Sequence, residues 1–155
     1  MSDQQFSSEL ARQAVEVCLC FHARKASRAI TQVFDHVLAA TGLKTTQLSL
    51  LMVVNARESV RIGELADALV TDSTTVSRTI KPLIRGGLIS ETPDNRDRRV
   101  KLITVTDAGR TALDRAMPLW QAAQSQVAKQ LGSGMVQFLL PALEAAAQLG
   151  PSDHP

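Results

Sequence analysis

The sequence predicts a mostly α-helical fold with one small β-hairpin set between its helices. Two short helical patterns, IGELADAL and DSTTVSRTIKPLIRG, open the stretch between Ile62 and Thr106. Two strand-like runs, LISETPD and VKLITVT, follow and enclose the charged loop DNRDRR. A helix, a turn, a second helix and a hairpin with a cationic tip form the outline of a winged helix-turn-helix.

Length and composition favour a single domain over residues 1–155. Hydrophobic residues make up 45% of the chain and charged residues 21%, which is the balance of a globular protein. Aromatic residues contribute only 3%, and tyrosine is absent. The core must therefore consist of Leu, Val, Ile and Ala, which suits the packing of helix on helix.

The net charge of +2 does not by itself indicate a nucleic-acid-binding protein. Residues 61–110 carry nine basic and seven acidic groups, so this part is basic by a small margin. No secretory leader and no apolar run of eighteen residues is present, and we expect a cytoplasmic protein with no membrane contact. Two cysteines do not form a disulfide framework.

Outside the central stretch the pattern predicts long helices. Apolar residues recur at helical spacing over residues 8–40, which predicts one long helix that ends near Gly42. Thr45 is placed to cap the dense apolar helix TQLSLLMVVNA. Further caps are expected at Thr71 or Asp72 and at Thr106 or Asp107. The helix after the hairpin is expected to run to about Leu131, before a last helix over 135–149.

The last helix, MVQFLLPALEAAAQL, is apolar almost all round and must be buried on most sides. In a chain of this size a second copy supplies the covering surface most easily. We therefore expect a homodimer held by residues 8–40 and 108–149, with residues 45–106 as the winged helix-turn-helix lobe. The alternative is burial within a larger helical core of one chain.

The second helix of the central stretch is expected to contact DNA bases. Val76, Ile80 and Leu83 share its inward face, so a short, hydroxyl-rich face projects outward. Hydroxyls bond base edges, and an arginine there suits guanine or a phosphate. The predicted contact residues of this helix are Ser73, Thr74, Thr75, Ser77, Arg78 and Lys81. Taken alone, the same pattern fits an ordinary amphipathic helix with a solvated face.

The loop DNRDRR favours the DNA interpretation. Arg96, Arg98 and Arg99 crowd one hairpin tip, where like charges repel and add nothing to folding. The negative potential of a narrow minor groove would attract them, while Asp97 holds one arginine in place. A solvated turn that protects a sheet edge is the alternative for the loop. The alternative function is a winged-helix module that binds another protein and not DNA.

No catalytic constellation is present in the sequence, and we expect neither an enzyme nor a bound cofactor. A phosphate loop, a nucleophile elbow and a metal-ligand pattern are all missing. Cys18 and His22 share one face of the predicted helix, but two ligands do not make a metal site. A continuous helix would also direct Cys18 and Cys20 apart, against a disulfide.

These segments together resemble the MarR family of multiple-antibiotic-resistance regulators. The similar segments are TGLKTTQLSLLMVV, IGELADAL, STTVSRTIKPLIRGGLI and DNRDRRVKLITVTDAG with the flanking helices, over roughly residues 10–148. The resemblance implies a homodimer that represses transcription from pseudo-palindromic operators. It further implies release by an oxidant or by a small-molecule inducer, bound between the dimer base and the lobes. Asp97 and Arg99 match the wing's D-x-R pair, in which the acid positions the arginine for the minor groove.

The run CFHARKASRAIT, which begins at Cys20, resembles the organic-hydroperoxide-sensing branch of that family. In that branch a reactive cysteine occupies this position and tyrosines bond its thiolate, whereas this chain has no tyrosine. Arg24 lies one helical turn after Cys20, and a cation there favours the thiolate. Cys20 is therefore a candidate redox sensor. A small buried apolar side chain is the alternative role.

Overall fold

The computed structural model describes residues 7–149, which fold into seven α-helices and a small antiparallel sheet. The elements are α1 Ser8–Val17, α2 Leu19–Leu38, α3 Thr45–Arg57, β1 Val60–Arg61, α4 Ile62–Ala68, α5 Ser73–Arg85, β2 Ile89–Pro93, β3 Lys101–Val105, α6 Asp107–Leu131 and α7 Ser133–Ala147. A 3-10 turn, Ala39–Thr41, follows α2. The predicted fold class, mostly helical with a small hairpin, is confirmed.

The N-terminal helical region is broken at Cys18, so the prediction of one helix over residues 8–40 was wrong. Cys18 has an extended backbone, with φ −76° and ψ 106°, and lies between α1 and α2. Its Sγ accepts a hydrogen bond from the backbone N–H of Phe21 at 3.4 Å. The thiol thus supplies a partner that the first turn of α2 otherwise lacks, which helps the chain to restart a helix there.

The predicted helix caps are partly confirmed. Asp72 caps α5 and Thr106 caps α6, as expected from their short polar side chains. Thr45 does not cap α3, because Lys44 occupies the cap position. The N–H and the Oγ1 of Thr45 instead donate to Oδ1 of Asp35, each at 2.7 Å, and so join α3 to α2.

The sheet has the order β1-β3-β2 and is antiparallel throughout. In the hairpin Ile89 faces Val105 and Pro93 faces Lys101. On the other side of β3, Val60 faces Ile103. The hairpin was predicted, whereas β1 was not, because a two-residue strand leaves no pattern in the sequence.

The core of the lobe is centred on α3. Leu50, Leu51 and Val54 of this helix have no exposed surface. Helices α2, α4, α5 and α6 and strand β3 all pack against it. Helix α6 then continues past the lobe and packs against α2 and α7, so it connects the hairpin to the terminal helices.

No single helix within residues 7–149 is both long and apolar enough to cross a membrane. Two segments joined at a bend of 78°, Leu19–Thr41 and Thr45–Arg57, reach such a length only when they are counted together. The second of these segments is α3, which the core of the lobe buries.

The segment T-D-A-G after the hairpin fastens α6 to the base of the hairpin. Thr106 donates from Oγ1 to the carbonyl of Gly87 at 2.6 Å and from its N–H to the carbonyl of Leu88 at 3.1 Å. Gly109 packs on the same backbone, where a Cβ would lie 2.1 Å from the Leu88 carbonyl oxygen and 2.6 Å from Val105 Cγ1. Position 109 therefore requires glycine for close approach, although its φ is not in the left-handed region.

We predict that Gly109→Ala destabilises the protein by about 1–3 kcal/mol, because a methyl group must displace backbone as well as a side chain. The matched control is Gly63→Ala in α4, where a Cβ meets nothing within 4 Å. That change should be neutral or stabilise by up to about 1 kcal/mol, since alanine is the better helix former. Urea unfolding of both variants measures the difference, and equal free energies of unfolding would contradict the packing argument.

Candidate nucleic-acid interface

Helix α5 presents its polar face to solvent because its apolar face is buried against the lobe. Val76, Ile80 and Leu83 are each at most 2% exposed. The predicted contact residues Ser73, Thr74, Thr75, Arg78 and Lys81 are exposed, and Ser77 is half-buried. All six are thus at least partly exposed, although Thr75 lies on a different side of the helix from Ser77 and Lys81.

Two hydroxyl groups on α5 already donate hydrogen bonds within the protein. The Oγ of Ser77 donates to the carbonyl of Ser73 at 2.7 Å, and Oγ1 of Thr75 donates to Oδ2 of Asp72 at 2.7 Å. Their protons are thereby engaged, and their oxygens remain as acceptors. The Thr75 hydroxyl, together with its N–H, lowers the pKa of Asp72. That carboxylate therefore stays charged at the N-terminus of α5, where negative charge is favourable.

The loop between β2 and β3 holds its three arginines in solvent. Arg96, Arg98 and Arg99 are all exposed, and the Arg99 side chain is 91% exposed. Asp97 accepts two hydrogen bonds from the Arg99 guanidinium, Nε to Oδ1 and Nη2 to Oδ2, both at 3.1 Å. This bidentate pair lowers the pKa of Asp97 and raises that of Arg99. The prediction that Asp97 holds an arginine is confirmed, and the arginine held is Arg99.

A second carboxylate fixes the base of this loop, and sequence analysis missed it. Asp94 is the one buried charged residue within the described residues, at 7% exposure. Its Oδ2 accepts from Nη2 of Arg61 at 2.7 Å, and its Oδ1 accepts from the N–H of Arg96 at 2.9 Å. The Arg96 N–H and then the Arg61 guanidinium lower the pKa of Asp94. The repeated D-x-R pattern of residues 94–96 and 97–99 was the signal for Asp94, whereas nothing in the sequence indicated Arg61.

Helix α5 and the hairpin share one face of the lobe. A groove of about 360 Å³ between them is lined by Ser77, Lys81, Arg85, Glu91 and Lys101 together with apolar side chains. Nζ of Lys101 donates to Oε2 of Glu91 at 2.9 Å across the hairpin. A neighbouring groove shares Lys101 with this one and is lined by Arg99 of the arginine loop, so the loop lies next to the groove beside α5.

A separate cavity of about 320 Å³ lies between α2, α3 and α5. It is lined by apolar side chains and by the hydroxyl residues Thr31, Thr45, Thr46, Ser49, Thr71, Thr75 and Thr79. Charged side chains do not line it. Its wall includes Thr75 and Thr79 of α5, so an occupant would touch the helix that carries the hydroxyl face.

The two cysteines lie at the start of α2. Cys20 is exposed on the helix, and Cys18 is its N-cap. Both line an open groove of about 660 Å³ with Arg24, Lys25 and Arg28. The premise that one continuous helix directs the two thiols apart was wrong, because Cys18 lies outside α2. Within residues 7–149 no group of three metal-ligating side chains occurs.

Comparison with known proteins identifies the family. The model of the MarR family matches residues 43–101, which span α3 to the start of β3. The transcriptional regulator MosR of M. tuberculosis, in a structure in complex with DNA, is 33% identical with a TM-score of 0.68. The alignment covers 85% of this chain and 99% of MosR. The chain belongs to the MarR family.

Two further relatives add to this assignment. The transcriptional repressor CouR, bound to a 23-mer DNA duplex, is 25% identical with a TM-score of 0.79 over 87% of this MarR-family chain and 96% of CouR. The organic hydroperoxide resistance transcriptional regulator of Bacillus subtilis is 25% identical over 65% of this chain and 69% of its own length. Across the curated regulators that match, this chain spans between 46% and 69% of the relative's length.

Proposed function

We propose that this chain is a dimeric, sequence-specific regulator that binds double-stranded DNA and represses transcription. The observation that carries the proposal is the solvent-exposed arginine loop beside the hydroxyl face of α5, with Arg99 already held by Asp97. Arginines on a fixed loop suit the narrow minor groove, and a hydroxyl-lined helix suits the major groove. The DNA complexes of MosR and CouR support the same assignment.

The dimer is proposed because apolar side chains of the terminal helices remain in solvent in a single copy. Val17 is 80% exposed, Leu19 86% and Phe138 78%. An apolar surface of this kind on one molecule favours association with a second. In a two-fold dimer the two α5 helices would lie about one DNA turn apart, roughly 34–36 Å, and a pseudo-palindromic operator would match that symmetry.

The alternative is a winged-helix module that binds a protein partner. This alternative does not explain why three exposed arginines lie at one hairpin tip. The two functions differ in their response to salt, because binding to DNA releases counterions and weakens steeply as salt rises. Duplexes selected by the wild-type protein from a random-sequence library provide the binding substrate for this comparison.

We predict that Arg99→Ala weakens binding to the selected duplex about tenfold or more, because the held guanidinium is lost from the minor groove. Arg115→Ala on α6 is the matched control, since Arg115 is also exposed but lies outside the hairpin and α5. Gel-shift titrations at 50 and 200 mM salt measure both variants. Unchanged affinity of Arg99→Ala would exclude the minor-groove role, and salt-insensitive binding by the wild type would favour the protein-binding module.

We further propose that a small-molecule inducer releases the DNA from the cavity between α2, α3 and α5. An occupant there would press on Thr75 and Thr79 of α5 and would displace the hydroxyl face. The lining of hydroxyls and apolar groups suits a small uncharged ring with a hydrogen-bonding substituent.

The cavity is tested with Ser49→Leu, because Ser49 is half-buried in its wall and a leucine would fill the space. A panel of small aromatic alcohols and amides is screened for a rise in the melting temperature and for release of the duplex. We expect active compounds to lose both effects in Ser49→Leu. The control is Thr111→Leu, an exposed change on α6 away from the cavity. Equal responses in wild type and Ser49→Leu would place the inducer elsewhere.

Oxidation is a second candidate signal, supported by the exposed thiol of Cys20 and by the relative that regulates organic hydroperoxide resistance. In the proposed step the thiolate sulfur attacks one peroxide oxygen and the O–O bond breaks. The terminal OH is transferred to sulfur, which gives a cysteine sulfenic acid, and the alkoxide that leaves takes a proton from water and becomes an alcohol. Arg24 lies one turn after Cys20 and lines the same open groove, through which a peroxide would reach the sulfur.

We predict that cumene hydroperoxide releases the DNA from the wild type and that Cys20→Ser abolishes this release. Cys18→Ser is the matched variant, because its thiol caps α2 and is engaged by the Phe21 N–H. Loss of the response in Cys18→Ser alone would move the sensor to Cys18. Release that persists in both variants, or never occurs in the wild type, would exclude thiol sensing.

A further inference from the structure

The wing loop, residues 94–100, is held by hydrogen bonds within the loop and by an ion pair to the rest of the lobe. Within the loop, Asp97 holds Arg99, and the N–H of Asp94 donates to the carbonyl of Val100 at 2.8 Å. Among the described residues, the ion pair of Asp94 with Arg61 is the one side-chain hydrogen bond from the loop to a residue outside the hairpin.

Arg61 is itself fixed at a junction of three elements. Its backbone pairs with Leu102 of β3, and its N–H donates to Oε2 of Glu64 at 2.8 Å, which caps α4. Its side chain then reaches Asp94, whose side chain is only 9% exposed. The start of α4, which packs on α5, is therefore connected through one guanidinium to the base of the wing loop.

We propose that Arg61 and Asp94 are positioning residues that set the angle of the wing loop relative to α5. Through Oδ1, Asp94 also fixes the N–H of Arg96, so the same carboxylate orients the arginine end of the loop. The pair thereby determines which minor-groove position the arginines reach when α5 lies in the adjacent major groove. This inference rests on the proposed DNA binding.

The direction in which Asp94→Asn changes the affinity for DNA distinguishes positioning from simple charge attraction. Asp94→Asn removes a negative charge from a surface that faces DNA and frees a cation, so charge alone predicts tighter binding and a steeper salt dependence. The asparagine oxygen still accepts from the Arg96 N–H, but it no longer holds Arg61 as an ion pair. If the pair positions the wing, binding to the selected duplex weakens about tenfold, although the wing has become more positive.

The experiment compares Asp94→Asn, Arg61→Gln and the double variant on the duplex selected by the wild type. We expect the double variant to bind no more weakly than either single variant, because all three lose the same contact. Hydroxyl-radical footprints should lose protection at the flanking minor groove, while methylation protection of guanine N7 under α5 persists. Glu91→Gln is the control for charge. It also removes a negative charge and frees a cation, Lys101, but it leaves the Arg61–Asp94 pair intact, so it should not weaken binding.

Amide exchange in the free protein provides a readout independent of DNA. Because the asparagine oxygen is a weaker acceptor and the Arg61 anchor is lost, the N–H groups of Arg96 and Val100 should exchange faster in Asp94→Asn, while those of α3 remain protected. Equal or tighter DNA binding by Asp94→Asn with an intact flanking footprint, or unchanged exchange in the loop, would overturn the inference. If the wild type selects no duplex while loop exchange still rises in Asp94→Asn, the DNA-binding proposal fails and the anchoring of the loop stands.

Discussion

The burial of α3 is the constraint on which the rest of the lobe depends. Helices α2, α4, α5 and α6 and strand β3 all pack on this one helix, and Leu50, Leu51 and Val54 have no exposed surface. Complete burial of such side chains stabilises a fold by about 1.5–3 kcal/mol each. Because α5 turns Val76, Ile80 and Leu83 into the core, Ser73, Thr74 and Arg78 remain exposed on its other side. The accessible polar surface is thus a consequence of core packing.

The wing holds several positive charges close together, and carboxylates of the same loop hold part of it in place. Residues 94–101 carry four basic and two acidic side chains, and unpaired cations so close together would repel. Asp97 holds the Arg99 guanidinium through two hydrogen bonds, whereas Asp94 pairs with Arg61 outside the loop and accepts from the backbone N–H of Arg96. An arginine that is already held loses less conformational entropy when it binds a ligand. By holding Arg99, Asp97 therefore lowers the entropic cost of binding an anion at this side chain.

The sequence predicted those features that repeat or stand next to each other along the chain. The helices, the hairpin, the caps Asp72 and Thr106 and the Asp97–Arg99 pair all have local patterns, and the structure contains them. The sequence did not predict contacts between residues that lie far apart along the chain. The Arg61–Asp94 contact joins positions 33 apart, and strand β1 exists only because β3 pairs with it. The break at Cys18 was missed because apolar periodicity continues through it, while the hydrogen bond that makes the break favourable involves a thiol.

Helix α6 is long enough to convert a small tilt at one end into a large displacement at the other. It has 25 residues, and its first turn is fastened to the hairpin base through Thr106 and Gly109, while its far end packs on α7. A helix of that length measures about 37 Å, so a tilt of about 5° at the α7 end displaces the hairpin end by about 3 Å. Contacts to base edges tolerate far smaller errors. In the proposed dimer, a slight shift where two copies meet would therefore displace the hairpin enough to lose its fit to a DNA groove, without any change inside the lobe.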